Sequence, residues 1–350
     1  MKRAPVFLRW DLDKTYLVSQ FESLRYLLRV PFQKGKDKVA VPGVAALIKG
    51  VRRTIERARR PVAVYFLSAS PPQIGAAIRE KLELDGIIHD GITFKDQMRH
   101  LIYARFDAVL EQVGYKLEGL LTSARDSLPG RVELLFGDDW ESDPFVYSVY
   151  ADILDGRLSE TDVAELLRRA EVGRHYRDRI LELVADKRPT AHVAAIFVLR
   201  QRPARASDLN AFGERLVWFD NYFECALKLW DLGVLDMDGV FEVLADIGFN
   251  PAQTAVSFDA VCARSRVERA RLAPVRRALL RAKVMDPVAK APLARTFWAV
   301  LRRRFDHPLG SQQRAMPDYA RLVERWSYRG RKEAVYEPET VDRSAHDGGG

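Results

Sequence analysis

Apolar and polar positions along the first 150 residues switch repeatedly between the period of a strand and that of a helix. Val6-Phe7-Leu8-Arg9-Trp10 is a short, mostly apolar run that stops at Asp11. Such a run suits a strand of a parallel sheet, buried on both faces. Phe21, Leu24, Leu27 and Leu28 then recur at helical spacing within residues 19–30. After a polar loop over 33–38, Val41-Pro42-Gly43 opens a helix predicted to run to about residue 59. Residues 62–67 predict a second strand, which ends at Ser68-Ala69-Ser70-Pro71-Pro72. The prolines suit the first turn of a helix over 73–82. Residues 86–94 read as short strand and turn, and 98–113 and 116–124 as two helices. Residues 132–136 form a further strand that runs into Gly137-Asp138-Asp139. Strands alternating with helices predict βαβ units, a parallel sheet and right-handed crossovers.

From Phe145 onward the pattern is helical. The expected organisation is therefore an α/β domain over 1–150, an all-helical domain over 151–335 and a polar, disordered tail over 336–350. Two stretches share one grammar: Leu154-Asp155-Gly156 followed by Ser159, and Asp231-Leu232-Gly233 followed by Asp236. Each predicts a helix closed by glycine and a second helix opened by a capping side chain.

Composition narrows the class. A hydrophobic fraction of 47% is that of a globular protein, and no apolar run is long enough to span a bilayer. The positively charged N-terminus precedes too short an apolar run for a signal peptide, so a cytoplasmic location is expected. Cys225 and Cys262 lack metal-type spacing and read as reduced thiols, and the six histidines form no ligand pair. A net charge of +8 permits an anionic partner.

The candidate chemistry lies at the strand ends. Asp11 and Asp13, Ser68 and Ser70, and Asp138, Asp139 and Asp143 each follow a predicted strand. In a parallel sheet those ends share one edge, where ligands bind. Converging carboxylates repel, and a hard cation such as Mg²⁺ relieves that by taking a couple of them together with substrate phosphate. Phosphate also calls for a cationic side chain. Lys116 is preferred because it sits in helical sequence near the last strand; Lys95 is its rival.

The set Asp11-x-Asp13-x-Thr15, Ser68, a lysine and Gly137-Asp138-Asp139-x-x-x-Asp143 resembles the haloacid dehalogenase superfamily of phosphohydrolases. Val41-Pro42-Gly43, Leu67-Ser68-Ala69-Ser70-Pro71, Tyr115-Lys116-Leu117 and Asp143-Pro144 with Tyr147 resemble, more narrowly, the actin-patch-associated phosphatidate phosphatase family. Two positions depart from that family: Tyr115 stands where a histidine is usual, and Asp139 where a small residue is common. The resemblance implies a Rossmann-like sheet of the haloacid dehalogenase type with little or no cap. It makes Asp11 the nucleophile and Asp13 the acid and base, and it gives Thr15, Ser68, Ala69 and Lys116 to the loop and the phosphoryl group. Mg²⁺ would be held by Asp11, Asp13 and Asp138, with Asp139 and Asp143 as further anchors. An uncapped site admits a phosphorylated small molecule, a lipid phosphate or a phosphoprotein. The competing reading is a scaffold whose basic helical half docks an anionic partner.

Two basic segments bear on partners. Lys34, Lys36 and Lys38 read either as a solvated loop or as a flap over the site. The segment from Arg264 to Arg304 holds thirteen basic residues against Glu268 and Asp286. It reads as solvated arginine-rich faces or as a surface for anionic membrane. No reading motif for nucleic acid accompanies it. Trp218, Phe219, Tyr222, Phe223 and Trp230 read as helix-packing core.

Overall fold

The computed structural model describes residues 4–17, 38–68, 75–94, 108–127, 129–140, 142–186, 191–201, 206–264, 269–287 and 316–323. The helix expected over 19–30, the expected tail, Ala69, Ser70, Lys34, Lys36 and Lys95 lie outside them.

Six parallel strands form one sheet in the order β3-β2-β1-β4-β5-β6. They are β1 (Val6–Asp11), β2 (Val62–Ser68), β3 (Gly91–Phe94), β4 (Arg131–Asp138), β5 (Ala191–Leu199) and β6 (Leu216–Phe219). β1 pairs with both β2 and β4, Trp10 lying opposite Phe66 on one side and Phe136 on the other. All six of its residues are buried, which explains the run of apolar residues without alternation.

Eleven helices are described. On one face of the sheet, α1 (Val44–Arg57), α2 (Gly75–Leu84), α8 (Tyr222–Asp231), α9 (Met237–Ile247), α10 (Pro251–Arg264) and α11 (Ala273–Arg281) contribute to a core with Trp10, Phe66, Phe136 and Phe197. On the other, α3 (Ala108–Arg125), α4 (Asp143–Leu154), α5 (Glu160–Arg169), α6 (Arg174–Ala185) and the short α7 (Ala206–Leu209) pack with Leu67, Leu135 and Ile196. The result is a Rossmann-like α/β sandwich of three layers.

Two expectations are corrected. The region after residue 150 is not all-helical: β5 and β6 lie there and extend the sheet begun by β1–β4. Residues 193–199 form an apolar run, buried except at the half-buried Ala194, that gives no alternation, so β5 carries no period to separate it from a buried helix. The two helices expected over 98–113 and 116–124 are, where described, one helix, α3. Gly114 does not break it, and a Cβ there would lie 2.8 Å from Tyr176, so the glycine serves close packing against α6.

The repeated helix grammar holds. Gly156 and Gly233 adopt left-handed backbone (φ 68° and 71°) after α4 and α8. Their amides and those of Arg157 and Val234 return to the last turn, closing it as a Schellman motif. Ser159 and Asp236 then cap α5 and α9.

Candidate active site

In the strand order, neighbours β1 and β4 mark the point where the chain reverses its direction of travel across the sheet. Connections leave opposite faces there and open a crevice beyond the carboxyl ends of the strands. Asp11 ends β1, Asp138 ends β4, and Ser68 ends β2 alongside.

Asp11, Asp138 and Asp143 are buried, and each offers a carboxylate oxygen within 4.8 Å of the others. Three acids from a strand end, a second strand end and a helix N-terminus thus gather at one point that can hold a metal ion. Asp143 gets there because α4 begins at it, followed by Pro144 in the first turn, which fixes the helical φ. A Cβ on Gly137 would lie 2.7 Å from the Asp143 Cβ and 2.8 Å from its Cγ. Only glycine lets the strand end and the carboxylate approach so closely.

Lys116 enters from α3, whose Leu117, Leu120, Leu121 and Ala124 anchor it on the sheet. Its Nζ lies 2.8 Å from Asp11 Oδ1 and 2.5 Å from Asp143 Oδ1, and all three side chains are fully buried. An ammonium without solvent is costly unless carboxylates surround it. Here it is bonded to two of the clustered acids.

The neighbouring hydroxyls fix the loop. Ser68 Oγ donates to Asp13 Oδ2 (3.1 Å), and Thr15 Oγ1 to Asp138 Oδ2 (3.4 Å). Leu12 N donates to Leu67 O, and the amides of Tyr16 and Leu17 turn back onto Leu12 O. Asp13 is 7% exposed, the most open of the site acids. Asp139 turns elsewhere: its Oδ1 accepts the Gln201 amide beyond β5 (2.8 Å), and it is outside the three-acid cluster.

The site has supports to which the sequence had assigned no role in it. The Tyr222 hydroxyl donates to Thr15 O (2.7 Å) from α8. Burial pushes that phenol well above its ordinary value, so it stays a donor. Tyr115, which departs from the expected histidine, donates to Ser68 O (3.2 Å), and burial raises its phenol too. Tyr147 donates to Phe136 O (3.3 Å); burial, then the charge on Asp143, keeps it protonated. Gln201 holds Lys14 O as well as Asp139. Of the five aromatics read as helix-packing core, Phe219, Tyr222 and Phe223 are buried, but Trp218 and Phe219 belong to β6.

The basic segments resolve in part. Lys38 is half-buried and interacts with the charge of Asp13. In the basic segment, Arg264 pairs with Asp220 and Glu224, Arg269 with Asp259 and Arg271 with Asp231. Arg276 donates to Pro287 O. Those arginines are bonded within the fold, while Lys290, Arg295, Phe297, Trp298 and Arg302–Arg304 lie outside the described residues. Among the described residues no helix is long and apolar enough to cross a membrane. Comparison of the chain with protein-family models, curated proteins and solved structures finds no match.

Proposed function

We propose that this protein is a metal-dependent phosphohydrolase that cleaves phosphomonoesters through a phosphorylated Asp11. The observation that carries the reading is the Lys116 ammonium held between Asp11 and Asp143, beside Asp138, at the β1/β4 crossing. The order and spacing of the motif residues, similar to those of haloacid dehalogenase phosphohydrolases, supports the same reading.

The donor set suits a hard cation. Three carboxylate oxygens within 4.8 Å of one another match Mg²⁺ chemistry, which favours oxygen ligands and leaves positions for water and phosphate. Asp11, Asp138 and Asp143 would hold it. When bound, it supplies positive charge against the phosphate oxygens.

The chain's own residues account for the rest. An Asp11 oxygen forms the bond to phosphorus as the bond to the leaving oxygen breaks. Asp13, with Ser68 Oγ against its carboxyl, gives its proton to that oxygen. It then takes a proton from the water that attacks the acyl phosphate, releasing phosphate and restoring Asp11. Lys116 steadies the negative charge on Asp11 and the transferring group. Thr15, held through Tyr222, keeps the loop and Asp138 in register.

Turnover of p-nitrophenyl phosphate with Mg²⁺, and its loss in EDTA, tests the reading. Activity that survives EDTA removes the metal, and no hydrolysis of any member of a panel of phosphorylated lipids, sugars, nucleotides and peptides removes the phosphohydrolase. The same panel decides whether the ester is phosphatidate-like.

A further inference from the structure

Two lysines lie at the site outside the acid cluster. Lys14 stands between Asp13 and Thr15 with left-handed backbone (φ 60°), a conformation that glycine adopts freely and lysine does not. Gln201 Nε2 donates to its carbonyl. Its ammonium sits 4.1 Å from the centre of the Trp140 ring, and the Trp140 amide donates to Asp138 Oδ1 (2.6 Å). The pair thus spans the β1/β4 crossing, one member on each strand-end loop. Trp140 is 37% exposed, so the ammonium rests on an aromatic face at the mouth of the site. Residues held in this conformation cluster at active sites and ligand clamps, and of the four non-glycine residues that adopt it among the described residues, Lys14 is the one beside the acid cluster.

Lys38 arrives from the second side. Ala40 bridges to Leu17 and Val41 N donates to Tyr16 O, which lays the 38–41 segment along the loop that follows Asp13. Burial lowers the proton affinity of Lys38, and the charge on Asp13 works against that loss.

We infer that Lys14 and Lys38 form a cationic collar beside Asp13 that selects phosphomonoesters carrying a second anionic group next to the ester oxygen. The inference rests on the phosphohydrolase reading for its geometry: the group that protonates the leaving oxygen faces the leaving group, so cations around Asp13 face it too. Lys116 already answers the phosphoryl side. A carboxylate or second phosphate one or two bonds from the ester oxygen then meets an ammonium through a charge-assisted hydrogen bond.

The test compares 2-phosphoglycolate with ethyl phosphate, which differ by a carboxylate in place of a methyl. Their dissociation constants are measured by calorimetry with Mg²⁺ in an Asp11→Asn background, which binds without turning over. The parent should hold 2-phosphoglycolate at least about tenfold tighter. Lys14→Gly and Lys38→Gln should each cut that ratio, and the pair should bring it near one. Lys14→Gly should also keep or raise the melting temperature, because glycine relieves the left-handed backbone, so a loss of selectivity with an intact fold is a recognition effect. A ratio near one in the parent, or a ratio that both substitutions leave unchanged, overturns the inference. Absence of turnover in the wild-type chain with the binding ratio intact sinks the hydrolase reading and leaves the collar standing.

Discussion

Strands β1 and β4 carry two buried ionic groups, one at their carboxyl ends and one midway along them. Midway, Glu133 is held by Arg9 and Arg131 together. Arg9 Nε reaches Glu133 Oε2 at 2.8 Å and Arg131 Nε reaches Oε1 at 2.6 Å, with the Tyr150 hydroxyl donating to Oε2. Arg9 also donates to Ser123 Oγ, and Arg131 to Ala124 O. Both guanidiniums lie over the Phe7 ring. At the strand ends the proportions invert: Asp11, Asp138 and Asp143 cluster, and the Lys116 ammonium is bonded to Asp11 and Asp143. The first group is cations around a single acid whose two oxygens are both bonded, a buried network that holds two strands and α3 together. The second crowds like charges around one ammonium, which costs stability and suits a site that can hold a metal ion. Burial of charge is therefore no sign of function on these strands; what sets the strand ends apart is that like charges are gathered there.

The sharpest way to break the comparison is at the strand ends. Asp11→Asn removes the proposed nucleophile and should lower turnover by about 10⁴-fold or more. Lys116 keeps its bond to Asp143, so neutralising one of three crowded acids should hold or raise the melting temperature. Steady-state rates and thermal melts of one preparation check both halves. A melt that falls as far as that of a core variant makes Asp11 part of the scaffold.

Glu133→Gln should do the reverse. It leaves two buried guanidiniums facing an amide, and breaking such a group by removing one partner costs about 3–5 kcal/mol. Chemical denaturation measures the loss, and the protein that remains folded should retain its kcat. A cost under about 1 kcal/mol would mean that water reaches Arg9 and Arg131.

A smaller effect tests how the strand end makes room for Asp143. Gly137→Ala places a methyl under 3 Å from the Asp143 side chain. Overpacking of this kind costs about 1–3 kcal/mol. A displacement of about 1 Å in a reacting group costs about 10²-fold in rate. The Mg²⁺ titration of activity should shift to higher concentration as Asp143 leaves its place, and an unshifted curve separates Asp143 from the metal.

The contrast between the two groups also explains what the sequence revealed. Asp11, Ser68 and Asp138 were legible because each ends an apolar run, and a polar residue there must lie at the sheet edge. Lys116 was legible from its place in a helix ahead of β4. Asp143 was one of three candidate acids there, and its pairing with Lys116 across 27 residues needed the turn into α4. Arg9 and Glu133 passed as part of strand runs, because their partnership spans 124 residues and leaves no local pattern. Strand β5 was lost for a related reason: a strand covered on both faces needs no alternation. Strand β6 has only four residues, in a stretch dense with aromatics that also suits helix packing. Local periodicity reports what faces water, and the centre of this sheet does not.

The gentlest probe is pH. Burial opposes ionisation of Glu133, but the adjacent Arg9 and Arg131 outweigh it and hold the carboxyl below its ordinary 4.5. A group whose value is depressed in the folded state contributes stability that is complete above its unfolded value. That contribution is lost as pH falls through the folded value. The chain should thus show no Glu133-linked change in unfolding free energy from neutrality down to about pH 5. Below that it should lose about 1.4 kcal/mol for each unit by which the folded value is depressed. Glu133→Gln carries no such proton, so its acid limb should be shallower than the wild type's by that amount. Asp11→Asn keeps the Glu133 network and should keep the wild-type acid limb from this source. Denaturation curves at pH 7, 5, 4 and 3 for the three proteins resolve the difference. If Glu133→Gln loses stability in acid as steeply as wild type, the charge on Glu133 is not what couples β1 to β4, and its two arginines are held by their aromatic and carbonyl contacts instead.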